Sequence, residues 1–160
     1  MNEPSKRTLE LAKRISEAAR ESATATLFFH QAVATHLGLH PTDLKCAEVV
    51  NEAGLISAGE LAVRCGLTTG AATAMLDRLE ARGLIRRERD LDDRRKVLVR
   101  PGDRPEQSVE IAAVFAPLEA GMIELCSRYE EQELQLVSEF VEQVRKLVEG
   151  ETNKLNRSKA

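Results

Sequence analysis

The chain has 160 residues, enough for one domain with helical extensions, and such a length buries roughly two-thirds of its unfolded surface without covalent staples. Hydrophobic residues make up 42% but aromatics only 3%, with no Trp, so the core must be aliphatic, and the formal net charge is -3. The longest apolar run, "AAVFAPL" (112–118), is too short to span a bilayer, and the polar start "MNEPSKRTLELAKRISEAAR" is no secretory leader. Cys46, Cys65 and Cys126 are odd in number and lack CxxC spacing, which argues against a disulfide scaffold. A reduced, cytoplasmic setting is expected.

Charge is unevenly spread. Residues 1–60 carry 6 basic and 8 acidic side chains, residues 61–104 carry 11 and 7, and residues 105–160 carry 6 and 11. The middle third is therefore the electropositive part, where an anionic partner would be drawn.

Residues 8–37 predict one long helix or two joined ones, with Leu11, Ile15, Ala18, Ser22, Thr26, Phe29, Val33 and Leu37 at three- and four-residue steps and Gly38 as the stop. "HPTDLKCAEVVNEAG" (40–54) predicts a second helix. His40 precedes it, Pro41 takes its first position, Asp43 favours its positive end, and Leu44, Ala47 and Val50 form the buried face. "SAGELAVRCG" (57–66) opens with the capping pair Ser57 and Glu60. "TTGAATAMLDRLEARG" (68–83) follows, with Thr68 as N-cap and Ala72, Met75, Leu76 and Leu79 inside. In "LIRRERDLDDRRKVLVR" (84–100) the period changes to two short strands around a polar Asp90–Asp93 turn. Helical spacing returns through Ile111, Phe115, Leu118, Met122, Leu125 and Tyr129, with a kink or local break expected near 113–117 because of Pro117. A last helix is marked by Leu134, Val137, Phe140 or Val141, Val144 and Leu147 or Val148, and "GETNKLNRSKA" (150–160) reads as frayed.

Residues 57–83 have the logic of a helix-turn-helix. Ala62 is small where a second helix would cross, Gly66 suits the turn, and Leu61, Cys65, Leu67, Ala72 and Met75 bracket it. An ordinary helical hairpin with a glycine turn has the same features. The arginine-rich hairpin that follows at once has the character of a wing, and arginine suits a narrow minor groove.

On these residues, "ELAVRCGLTTGAATAMLDRLEARGLIRRERDLDDRRKVLV" (60–99) resembles the winged helix-turn-helix of the MarR family of transcriptional regulators, above all in "DRLEARGLIRRERD" and the "DDRR" wing tip. The resemblance implies a mainly α fold with a small β-hairpin wing, in which a winged helix-turn-helix lobe (40–103) joins helical dimerisation regions (1–39 and 104–160). It implies a homodimer that binds a pseudo-palindromic operator in double-stranded DNA, repression, and release by a small aromatic or phenolic effector whose pocket is unassigned. DNA contacts fall on Thr68, Thr69, Gly70 and Thr73 at the start of the recognition helix, whose hydroxyls suit phosphate or base edges. Arg78, in the "DRL" triplet, matches a residue that contacts phosphate or braces the wing. Arg95 matches the minor-groove arginine, Arg94 its neighbour, and Asp93 the residue that fixes the wing. Asp90–Leu91 stands where many members have Asp-Pro.

Other chemistry finds little support. His36 and His40 are four apart, but Gly38 ends the helix between them and no Cys or carboxylate joins them at ligand spacing, so neither metal nor cofactor is expected. His30 reads as a core or pocket histidine. No phosphate-binding glycine loop or GxSxG occurs, so an enzyme is not expected. Two alternatives stay open: a winged-helix protein-interaction module that reads no DNA, and a thiol-based redox regulator.

Overall fold

The computed structural model describes residues 4–90, 93, 96–103 and 105–157. In chain order these form α1 (Lys6–His36), α2 (Pro41–Ala53), β1 (Ile56–Ser57), α3 (Ala58–Arg64), α4 (Thr69–Ala81), β2 (Ile85–Arg89), β3 (Val97–Pro101), α5 (Pro105–Cys126) and α6 (Glu131–Arg157). The fold is mainly helical with a small antiparallel sheet, as expected. The chain divides into two compact units whose boundary lies within α5, between Val114 and Phe115.

In the first unit, α1 is a single helix. The Ser5 hydroxyl accepts the Thr8 N–H (3.1 Å) at its start. Only Val33 and Ala34 are fully buried, near its C-terminal end. His40 caps α2 through Nδ1, which accepts the Thr42 N–H at 3.2 Å, and Pro41 occupies the first turn, where a missing N–H costs nothing. Leu44, Cys46, Ala47 and Val50 of α2 meet Leu61, Met75, Leu76 and Leu79 of α3 and α4, together with Leu84, Ile85 and Val99 of the hairpin. That aliphatic cluster is the core of the lobe, and Ile111 packs against its edge.

The sheet has the order β1-β3-β2, all antiparallel. Ile85 pairs with Pro101, Arg87 with Val99 and Arg89 with Val97, and on the other side of β3 Ile56 pairs with Val99. The hairpin matches the sequence expectation, whereas β1 has no alternating signal of its own. A two-residue strand is too short to show a period, and it exists because β3 offers it a partner.

The second unit holds the end of α5 and α6, and two expectations are corrected here: the local break allowed for at 113–117 and the fraying from 150. First, α5 runs unbroken through Pro117. The proline ring removes a donor to the Ala113 carbonyl, but Ala113 and Pro117 are both exposed, where water can take that carbonyl. Second, α6 continues to Arg157, so the expected fraying from 150 does not occur up to that residue. Its charged face is laced by Arg145 to Glu142 and Glu149 and by Lys154 to Glu151, and Thr152 Oγ1 donates to the Val148 carbonyl. No helix among the described residues is long and apolar enough to cross a membrane.

Candidate nucleic-acid interface

The helix-turn-helix is built on backbone hydrogen bonds. The Ser57 hydroxyl accepts the Glu60 N–H (3.2 Å) at the start of α3, while the Glu60 carboxylate holds Arg64 at 2.7 Å. At the far end the Gly66 N–H donates to the Val63 carbonyl (3.1 Å) and the Leu67 N–H to that of Ala62 (2.8 Å). This doubly bonded stop requires a left-handed residue between them, and Gly66 has φ +65°. Thr68 then caps α4, accepting the Ala71 N–H at 3.3 Å.

Because Ala72, Met75, Leu76 and Leu79 point into the core, the opposite face of α4 is exposed. Thr68, Thr69, Gly70 and Thr73 lie together on its first turns, all exposed. Thr73 Oγ1 donates to the Thr69 carbonyl at 3.0 Å, which leaves the oxygen as an acceptor facing out. Gly70 has open space where a Cβ would stand, so close backbone approach, not packing, is what its lack of a side chain offers.

Arg78 does not reach toward the wing. Its Nε and Nη2 each donate to a carboxylate oxygen of Asp43, both at 2.7 Å, across 35 positions of sequence. Asp43 is only 3% exposed, and the fork clamps α4 to the first turn of α2. Neighbouring Arg82 donates to the Leu37 and Gly38 carbonyls at 3.1 and 2.6 Å, which fixes the end of α4 against the end of α1.

The wing is braced by a different residue. Arg87, one of the arginines of the basic hairpin, pairs with Asp77 (2.7 Å) and Glu80 (2.6 Å) of α4. Its own backbone N–H donates to Glu80 Oε1 at 3.0 Å. Side-chain and backbone hydrogen bonds from Arg87 hold the Glu80 carboxyl below its ordinary value. Arg86 pairs with Asp103 (2.7 Å), and Arg100 faces Glu88 (3.3 Å) and Asp103 (3.6 Å). Arg89 is exposed. At the turn, Asp90 Oδ1 accepts the Asp93 N–H (3.1 Å), and the Asp93 carbonyl accepts the Lys96 N–H (2.8 Å). Asp90 is therefore a turn former, as its position suggested. Arg94 and Arg95, the residues expected to meet DNA at the tip, lie outside the described residues, as do Leu91 and Asp92.

Between α4 and the wing lies an open cleft of about 390 Å³, lined by Thr73, Leu76, Arg87, Arg89 and Val97 among others. At the base of the hairpin, the Gly102 N–H donates to the Leu84 carbonyl at 2.9 Å. A Cβ on Gly102 would stand 1.9 Å from the Gly83 carbonyl oxygen. Neither that glycine nor the Asp43 fork was anticipated from sequence. Gly102 lies just past the second predicted strand with no motif around it, and Asp43 looked like a residue suited to a helix start.

An exposed, polar helix start beside a braced basic hairpin, on a three-helix core with a three-stranded sheet, defines a winged helix-turn-helix protein. The sequence model of the MarR family matches residues 39–97. The HTH-type transcriptional regulator YcgE of Bacillus subtilis is 42% identical over 146 residues, covering 91% of this chain and 94% of that protein. The chain belongs to the MarR family of transcriptional regulators. Its fold is similar to that of Escherichia coli MarR in the apo form (TM-score 0.59, 19% identity, 81% of this chain and 94% of that one). It is similar also to the Thermotoga maritima regulator Tm0710 (TM-score 0.59, 20% identity, 86% and 95%) and to reduced AbfR bound to DNA (TM-score 0.57, 22% identity, 89% and 97%).

Proposed function

We propose that this MarR-family regulator binds duplex DNA as a homodimer and represses from a pseudo-palindromic operator. The observation that carries the reading is the exposed cluster Thr68, Thr69, Gly70 and Thr73 on the first turns of α4, set beside a wing whose own arginines are tied down at its base. The N-terminal turns of α4 enter the major groove, where the threonine hydroxyls and the Gly70 backbone meet base edges and phosphates. Arg95, with Arg94 beside it, reaches the minor groove, and Asp93 holds the turn that carries them. Arg78 acts as a positioning residue through Asp43. The DNA-bound form of its structural neighbour AbfR supports DNA as the partner.

Dimerisation is supported by what the helices outside the lobe leave exposed: Leu11 and Ile15 on α1, Met122 and Ile123 on α5, Val137 and Val141 on α6. Apolar faces this extensive mark an interface, and a second copy of the chain is the occupant that a two-fold operator requires. On this reading, residues 1–39 and 104–160 form the dimerisation region and 40–103 the reading lobe. Release by a small ring-shaped effector is part of the same proposal. A cavity of about 170 Å³ lined by Leu37, Leu39, Arg82, Leu84, Glu110 and Ile111 is close to the roughly 150 Å³ that holds a benzene ring. Useful release needs a coupling of about 1–3 kcal/mol between effector and DNA.

The test is selection of bound duplexes from a random pool, followed by salt titration of the selected duplex. Affinity should fall steeply with salt, and Arg95→Ala should weaken binding several-fold and lower the salt slope by about 0.9. Absence of duplex binding at low salt would leave the protein-interaction reading in its place.

A further inference from the structure

The joint between α1 and α2 is gripped from one side of α4. Arg78 and Arg82 stand four residues apart at the end of α4, Arg82 as its C-cap, so they share one face of the helix. Arg78 holds the first turn of α2 through Asp43. Arg82 holds the end of α1, with Nη1 donating to the Leu37 carbonyl at 3.1 Å and Nη2 to the Gly38 carbonyl at 2.6 Å. Between these two grips the chain turns at Gly38, whose φ is +62°, and a Cβ built there would lie 3.5 Å from Arg82 Nη2. The guanidinium therefore lies over the joint itself. It also brings positive charge to the negative end of the α1 dipole, where carbonyls lack donors from within the helix.

Little else ties α1 to α4. Val33 and Ala34 are the only fully buried residues of α1, and α1 packs on α2 with little direct contact to α4. His30 of α1 stands 3.9 Å from Glu48 of α2, a longer contact than either bond of Arg82. Arg82 itself is exposed and gives no side chain to the core cluster, so its loss leaves the lobe folded. A residue that contributes little to the core yet bonds two helices across a glycine turn is suited to fixing an angle.

We propose that Arg82 is the positioning residue that sets half-site spacing: by locking the α1–α2 joint to α4 it fixes the separation and rotation of the two recognition helices in the dimer. This rests on the DNA-binding homodimer reading above, in which α1 belongs to the dimerisation region. Each α4 is then carried at the end of its own α1, and a bend at residues 37–40 moves it relative to the other copy. Moving one half-site by one base pair asks α4 to shift about 3.4 Å along the duplex and to turn about 35° around it. With Arg82 bonded to Leu37 and Gly38 the joint resists that movement. Without it the joint yields, so neighbouring spacings are accepted, and the freedom gained must be frozen again on binding, which weakens the best site.

The full chain and its Arg82→Met variant are titrated with the selected duplex and with two derivatives whose half-sites stand one base pair closer or one farther apart. The wild type should lose about ten-fold in affinity on either derivative, the order of one wrong base pair. Arg82→Met should bind the selected duplex about three-fold more weakly and the derivatives within about two-fold of that, with an unchanged salt slope because Arg82 neutralises no phosphate. A wild type indifferent to spacing, a variant that keeps the wild-type discrimination, or a slope lowered by about 0.9 would overturn the spacing role. Amide hydrogen exchange without DNA tests the lock separately. The Gly38 and Leu39 N–H groups, which donate to the Thr35 and Ala34 carbonyls at 3.1 and 2.8 Å, should exchange about ten-fold faster in Arg82→Met. Equal exchange in the two proteins overturns the lock. A wild type that binds no duplex overturns the DNA reading, and the spacing role with it, while exchange at Gly38 and Leu39 still decides whether Arg82 holds the joint.

Discussion

The fork between Arg78 and Asp43 makes an asymmetric prediction. Asp43 is buried (side chain 4% exposed), whereas Arg78 is half in solvent (53%). In Arg78→Met both 2.7 Å hydrogen bonds vanish and a carboxylate remains buried without its cation. Breaking a fully buried pair in this way costs about 3–5 kcal/mol, and the half-exposed approach of Arg78, which admits water, brings the expectation to about 2–3 kcal/mol. In Asp43→Ala the arginine swings into water, and the cost should be about 1 kcal/mol. The double change Arg78→Met with Asp43→Leu removes both charges and should recover most of the loss. Urea unfolding followed by circular dichroism at one fixed protein concentration measures all three, and for a chain of this size 2–3 kcal/mol corresponds to a fall in Tm of roughly 4–12 °C. If Arg78→Met costs no more than Asp43→Ala, the buried carboxylate does not depend on the fork, and the positioning role of Arg78 fails.

Arg87→Met should loosen the wing from α4 and weaken binding to the selected duplex about five-fold, yet leave the salt slope unchanged, because Arg87 neutralises Asp77 and Glu80 and not phosphate. A slope lowered by about 0.9 would place Arg87 on the DNA instead. Glu80 is held below its ordinary value of 4.5, so its stabilising contribution is complete above that pH and is lost as the pH falls through the depressed folded value. Acid titration of stability should therefore be shallower below pH 4.5 in Glu80→Gln than in the wild type. Gly102→Ala drives a Cβ into the Gly83 backbone and should cost about 3 kcal/mol in the same urea experiment; stability within about 1 kcal/mol of wild type would mean the hairpin base can yield.

Elements with a local signal were legible in the sequence. The caps at His40, Ser57 and Thr68, the stop at Gly66 and the apolar face of α4 depend on residues within four positions of one another, which is the range that spacing can report. Long-range partners were not legible. Nothing near Arg87 in sequence marks it for Asp77 and Glu80 on the preceding helix, and an arginine in a basic run reads as a surface charge until the hairpin folds back. The Asp43 fork, 35 positions from Arg78, was hidden for the same reason. Pro117 shows the converse. A strong local signal for a break was overridden because an exposed helix tolerates the missing donor. The exposed face of α4 was read directly, since it is simply what the core-facing residues leave over.

Sheet pairing ends at Arg89 and Val97, and the side chains that the hairpin gives to the core, Ile85 and Val99, both lie below that rung. Asp90, Asp93 and Lys96 close the turn above that rung through hydrogen bonds of their own and give no side chain to that core, so substitutions there should alter the turn and leave the packing of the lobe in place. On the proposed DNA-binding reading, the turn and the buried scaffold beneath it are therefore free to diverge at different rates.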